Sequence, residues 1–296
     1  PAPTPPRWFR IRLELRRPCE ELAVTTIAEW ASTLLHGTEL SQKLAPVQLS
    51  AELGIPPSFV LPRNPGRSPR LSFSEAQVKF PKRGSFEKVE ARAIALHSFA
   101  NHELLAIEMM AAAVLSYPQA SDEDQRVKRG IVAAIRDEQK HLALYVKRLT
   151  DLGYEFGDFP LNSFFWRQME KLPTAAHFFG LMSLTFESAN LDFSLVYEDV
   201  FRQAGDEETA KILRVVHDDE IGHVALGAYW LARWKGDRKL WDYYRSLLPE
   251  PLTPARAKGN QFHAGPRIAA GLPRDWVTEL ELFKDDFRIT NRRSWS

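Results

Sequence analysis

The pattern Asp-Glu-x-x-His occurs twice, as Asp137-Glu138-Gln139-Lys140-His141 and as Asp219-Glu220-Ile221-Gly222-His223. Each copy lies in a stretch of helical period, and on an α-helix residues i and i+3 stand about 60° apart around the axis and roughly 4.5 Å apart along it. Glu and His so placed can grip one metal ion together, and a carboxylate oxygen with an imidazole nitrogen suits iron, manganese or zinc. Shuffling this composition gives roughly 0.03 such five-residue matches. Two independent copies therefore argue for a site rather than for the charged faces of two solvated helices.

Four long segments of helical period must position these residues. The first runs from about Phe86 to Ser116, before Tyr117-Pro118, and the second from about Asp122 to Leu152, before Gly153. The third starts near Pro173-Thr174 and reaches Gln203, where Ala204-Gly205-Asp206 breaks it; the fourth runs from about Glu207 to Lys235 and stops at Gly236. A longer connection, Tyr154 to Lys171, separates the second from the third. The expected fold is all-α, a four-helix bundle of two αα hairpins joined by a crossover, over residues 86–235. Residues 1–85 read as an irregular N-terminal extension, with an extended candidate at Trp8–Leu15 and a helix at about 21–36. Its stretch from Pro56 to Arg70 is expected to wrap over the surface without regular structure. Residues 236–296 read as a C-terminal extension with a packing role and short helices near 238–247 and 274–286.

A di-metal site in such a bundle takes one carboxylate from each of two helices and a Glu-x-x-His from each of the other two. The missing carboxylates should come from the first and third segments. Glu187 sits among apolar and small neighbours, 33 residues before Glu220; Glu103 lies 35 residues before Glu138 and Glu108 lies 30 before it. Glu103 matches the spacing better, and Glu108 is the alternative, otherwise read as a partly exposed helix charge. Glu103 to Glu187 is 84 residues, while Glu138 to Glu220 and His141 to His223 are both 82, so two similar hairpins offer equivalent ligands.

With Glu103, Glu138, His141, Glu187, Glu220 and His223 in that order, the chain resembles the ferritin-like di-iron carboxylate superfamily. The segments His102–Glu108, Leu184–Asn190 and His217–Val224 are similar to an uncharacterised bacterial branch known only as a domain of unknown function. The resemblance implies six metal ligands holding two iron ions, with manganese or a mixed pair accepting the same set. It also implies that Asp137 supports His223 and Asp219 supports His141, since a metal-bound His donates its second ring N–H to a carboxylate. Four carboxylates offset the charge of two ferrous ions, and paired irons can reduce and cleave an O–O bond.

The leading expectation is a cytoplasmic non-haem di-iron oxygenase or oxidase, acting with dioxygen on a small organic molecule, a hydroxylase being one form. Iron oxidation and sequestration of ferritin type is the first alternative. The long extensions suit a substrate pocket better than a cage subunit. An interaction module with a vestigial metal site is the second alternative. No nicotinamide or flavin fingerprint is present, so if turnover consumes external electrons a separate donor must deliver them. Substrate, native metal and oligomeric state are left open.

The remaining chemistry is sparse. Net charge is +1, 44% of residues are hydrophobic, and Arg7, Arg10, Arg12, Arg16 and Arg17 are too mixed with acids to argue for nucleic acid. Cys19 is the only cysteine, which excludes an intrachain disulfide and a thiolate cluster and fits a reducing compartment. No apolar run is long enough to span a membrane and the start is unlike a signal peptide, so neither embedding nor export is expected. His217 stands three residues before Glu220, where it either backs the ligands or packs. His97 and His102 adjoin Glu103 and either enter the pocket or, the favoured reading, pack in the core or cap; Tyr145, one turn after His141, either stands near the metals as a supporting phenol or, the favoured reading, is a satisfied core group. Phe99, Ile107, Met109, Met110 and Leu191 read as bundle interior rather than channel.

Overall fold

The structure, a computed structural model, describes residues 26–285 except 57 and 77. The extended candidate at 8–15, Cys19 and the five N-terminal arginines lie outside the described residues. Within them the regular elements are helical, and the β interaction present is an isolated bridge between Phe73 and Leu161. No helix among the described residues is long and apolar enough to cross a membrane.

In chain order, α1 is Ile27–His36 and α2 is Leu40–Lys43; the long α3 (Val89–Ser116) and α4 (Asp122–Asp151) form the first hairpin. The second hairpin is built from α5 (Ala175–Leu181), a π-helical segment at Met182–Glu187, α6 (Ser188–Gln203) and α7 (Glu207–Trp234). Three short helices follow, α8 (Leu240–Ser246), α9 (Ala264–Ala269) and α10 (Arg274–Leu282). The expected third helix is therefore continuous in course but widened over one turn. The tail holds a helix at α9 that its Pro and Gly content concealed.

Helix ends are set by local chemistry. At the start of α4 the Ser121 hydroxyl accepts from Asp124 N at 3.1 Å while the Asp124 carboxylate accepts from Ser121 N at 3.0 Å, a reciprocal cap behind three acids in the first turn. Gly153, at φ +83°, ends it. Asp206 caps α7 by accepting from Thr209 N at 3.0 Å and also pairs with Arg148 of α4 at 2.8 Å, tying the second hairpin to the first.

From Leu104 to Leu115 every residue of α3 is buried, because α4 covers one face and α1 another. This enclosure overturns the reading of Glu108 as partly exposed. Its carboxylate is wholly buried, 3.0 Å from Lys43 Nζ and 2.7 Å from Arg67, and both cations are buried with it. Burial pushes the Lys43 ammonium below its ordinary pKa and Glu108 opposes that shift. The stretch expected to lie on the surface thus sends Arg67 inward, where the guanidinium also donates to Asn101 at 3.3 Å, and it contains a 3-10 turn at Pro69–Leu71.

The C-terminal extension is anchored by a second buried pair. Asp192 of α6 accepts from both terminal nitrogens of Arg267, at 2.8 and 2.9 Å, and from the backbone N–H groups of Gly259 and His263. Both side chains are inaccessible to solvent. Extensions at the two ends of the chain therefore reach the helical core through buried charge, and carry residues of the cavity described next.

Candidate metal centre

Glu138 and His141 on α4 stand one turn apart, as do Glu220 and His223 on α7; α3 contributes Glu103, and Glu187 ends the π segment. The structure brings all six together and buries them. Their donor atoms fall into two overlapping groups: Glu103, Glu138, His141 and Glu220, and Glu138, Glu187, Glu220 and His223. Within each, the atoms lie within 4.8 Å of one another. Glu138 and Glu220 belong to both groups.

The imidazoles face inward with Nδ1. His223 Nδ1 lies 3.1 Å from Glu138 and 3.3 Å from Glu220, and His141 Nδ1 lies 3.5 Å from Glu138. Outward, His141 Nε2 lies 2.9 Å from Asp219 and His223 Nε2 lies 3.5 Å from Asp137. A carboxylate only accepts, so Nε2 of His141 donates to Asp219, and Nδ1 is the nitrogen that would face a metal ion. Each Asp thus stands beside the His of the other motif, but only Asp219 and His141 are hydrogen-bonded, and His223 Nε2 is left without a hydrogen-bond partner. Lys140 pairs with both Asp219 and Asp137 and so joins the two outer carboxylates.

The cluster is electrostatically unbalanced without cations. Burial raises Glu103 well above the ordinary carboxylate range, reinforced by Glu138, and raises Glu187 to about 8 with Glu220 and Glu138 adding to it. Burial opposes the positive charge on His141 and His223, yet the carboxylates beside them prevail, pushing His141 up to about 9 and His223 well above its usual value. Glu138 is held low against burial by Glu103, His141 and His223 close beside it. Protons are thus retained where divalent ions would neutralise the same groups. Both oxygens of Glu187, one each of Glu138 and Glu220, and Nδ1 of both histidines are buried without a hydrogen-bond partner. Such orphans are costly unless another ligand satisfies them. Hard oxygen and borderline nitrogen donors in this number fit a pair of iron or manganese ions.

Two features aim the ligands. The π segment adds a residue to the turn before Glu187, and Thr185 stabilises it by donating to Gly180 O at 2.8 Å and sharing a 2.9 Å hydrogen bond with Tyr244 of α8. On α7, Gly227 lies so close to Ser183 that a Cβ there would collide with it, which lets the π segment approach the Glu220–His223 turn.

A cavity of about 810 Å³ opens onto Glu103, Glu138, Glu187 and Glu220. Phe99 lines it rather than the closed bundle interior, His102 enters it, and Tyr145 is a buried core residue whose side chain also borders it, while Ile107, Met109, Met110 and Leu191 are buried core. Burial and the nearby Glu103 raise the Tyr145 phenol well above its ordinary pKa. His97 lines the cavity too, but its Nε2 accepts from Gly157 N at 2.9 Å. His217 stands one step back, 3.0 Å from Ser194, whose side chain lines the wall. Sequence reasoning missed Asn190, which donates to Glu220 at 2.8 Å and borders the cavity. Its position three residues after Glu187 on the same helix was the available signal.

A protein of Haemophilus influenzae, known only as an uncharacterized protein, is 29% identical to this chain over 244 residues, spanning 76% of this chain and 81% of that protein. No solved structure matches the chain. The model of a family described as "Protein of unknown function (DUF455)" matches residues 26–278, and the chain belongs to that family.

Proposed function

We propose that this protein is a ferritin-like, di-metal oxidoreductase, most simply a di-iron oxygenase or oxidase, that acts with dioxygen on an organic molecule held in the cavity. The observation that carries the reading is the pair of overlapping ligand groups sharing Glu138 and Glu220, with the cavity opening directly onto their carboxylates. A site for iron storage has no use for a cavity of about 810 Å³ opening onto its carboxylates, so the cavity favours an organic substrate over sequestration.

Glu103 with His141, and Glu187 with His223, would serve as end ligands, and Glu138 and Glu220 as shared ones. Two ferrous ions bound there supply the electrons that reduce dioxygen. Asp219 orients the His141 imidazole, Asp137 stands 3.5 Å from His223, and the Asn190 amide fixes one oxygen of Glu220 while leaving the other to the centre. The phenylalanines of the cavity wall give the space beside the carboxylates an apolar lining.

The test is dioxygen uptake by protein loaded anaerobically with ferrous iron, compared with Glu138→Ala. Uptake by the parent that is abolished in the variant supports the reading. Equal uptake by both, or none by a parent that holds two irons, removes it.

A further inference from the structure

The cavity wall carries a second kind of information, about the molecule it takes. Seven phenylalanines border it. Phe165 is stacked on Phe186, with centroids 4.0 Å apart and planes at 9°, and on His102 at 5.0 Å and 20°. These three near-parallel rings, with Phe164 tilted against two of them, make an aromatic wall. Such rings favour a planar aromatic guest through offset or edge contacts, and a volume of about 810 Å³ accommodates a bicyclic one.

Charge is distributed unevenly around the same space. The only acidic residues lining it, among the described residues, are Glu103, Glu138, Glu187 and Glu220, and the cations lining it are Arg167 and Arg256. Arg256 is held over the Phe164 ring at 5.4 Å, and Arg167 follows Phe164 by three residues. Two divalent ions on the four carboxylates would make the floor neutral, and the arginines are the cationic side chains of the wall.

We infer that the substrate is a planar aromatic acid, with its ring among Phe164, Phe165 and Phe186 and its carboxylate or phosphate group at Arg167 and Arg256. The inference rests on the di-metal reading for the neutrality of the floor. Guanidinium groups suit either anion through paired N–H donors, and the stacked arginine keeps its fork pre-organised.

The experiment measures affinities of iron-loaded protein, with its metal content determined separately, for 2-naphthoate, 2-naphthyl phosphate and the neutral 2-naphthylmethanol by isothermal titration. At least one anion should bind roughly tenfold or more tightly than the alcohol, and which of the two does so identifies the acid group. Arg167→Gln and Arg256→Gln should each erode that preference, and Arg167→Glu, at an exposed position that folding tolerates, should abolish it. Equal affinity for all three probes, no binding of any, or a preference unchanged by these variants overturns the proposal. Repeating the titrations on metal-free protein separates the two readings. An arginine-dependent preference in a chain that never holds a metal pair retires the di-metal reading alone, whereas a two-iron protein with no preference retires only the aromatic acid.

Discussion

His223 Nδ1 on α7 lies 3.1 Å from Glu138 on α4, close enough that the ligand motifs of the two hairpins act as one cluster. The converse contact runs outward, where Asp219 of the second motif reaches His141 of the first at 2.9 Å. Each hairpin therefore completes the other, and loss of one motif should disable both halves.

The two outer carboxylates are not equivalent. Asp219 is at hydrogen-bond distance from its imidazole, while Asp137 stands 3.5 Å from His223. Asp219→Asn should weaken iron binding by about 10- to 100-fold, and Asp137→Asn by less. Competition with a calibrated chelator measures both; equal losses would remove the distinction.

Glu108 should prove structural. Glu108→Gln leaves Lys43 and Arg67 buried without their counter-charge, and breaking such an arrangement costs about 3–5 kcal/mol. Urea unfolding should show that loss, while iron content of the folded fraction stays at the parent value. A variant of normal stability that fails to hold iron would instead make Glu108 a ligand.

Gly227→Ala introduces a methyl group into the contact with Ser183. Over-packing at this point should cost about 1–3 kcal/mol and push the π segment, with Glu187, away from α7. The expected result is a lower unfolding midpoint together with reduced iron content; a variant unchanged in both shows that the two helices have room to spare.

Burial holds His97 down at about 4, against a weaker opposing pull from Asp158, and its Nε2 accepts backbone N–H groups that a protonated ring cannot serve. An unfolded chain titrates near the ordinary value of 6.5, so between that pH and about 4 the unfolded state binds more protons. The contribution is complete above the unfolded pKa and is lost as pH falls through this window, amounting to about 3 kcal/mol at most. His97→Gln should flatten the stability profile over that range by up to about one proton. An unaltered slope would show that His97 does not titrate this way.

Much of this was legible in the chain itself. Helical period and caps placed the four long helices to within a few residues. The spacing of Glu103–Glu138 and Glu187–Glu220, 35 against 33, differs by two because residues 117–121 join one hairpin and only 204–206 join the other. What was not legible depends on tertiary partners. The π segment rests on Tyr244 and on the close approach of Gly227, neither of which leaves a mark in the period of residues 175–203. Glu108 looked exposed because Lys43 and Arg67 come from an extension whose path has no repeating pattern. Phe99 read as bundle interior because an apolar stripe looks the same whether it meets a neighbouring helix or a cavity.

The most direct measurement is iron content per chain after anaerobic loading and desalting, made on the parent, Glu138→Ala and Glu103→Ala. Because Glu138 belongs to both ligand groups and Glu103 to one, the account predicts about two irons for the parent, far less than one for Glu138→Ala, and about one for Glu103→Ala. A parent that retains no iron, or a Glu138→Ala variant that retains as much as the parent, would contradict it.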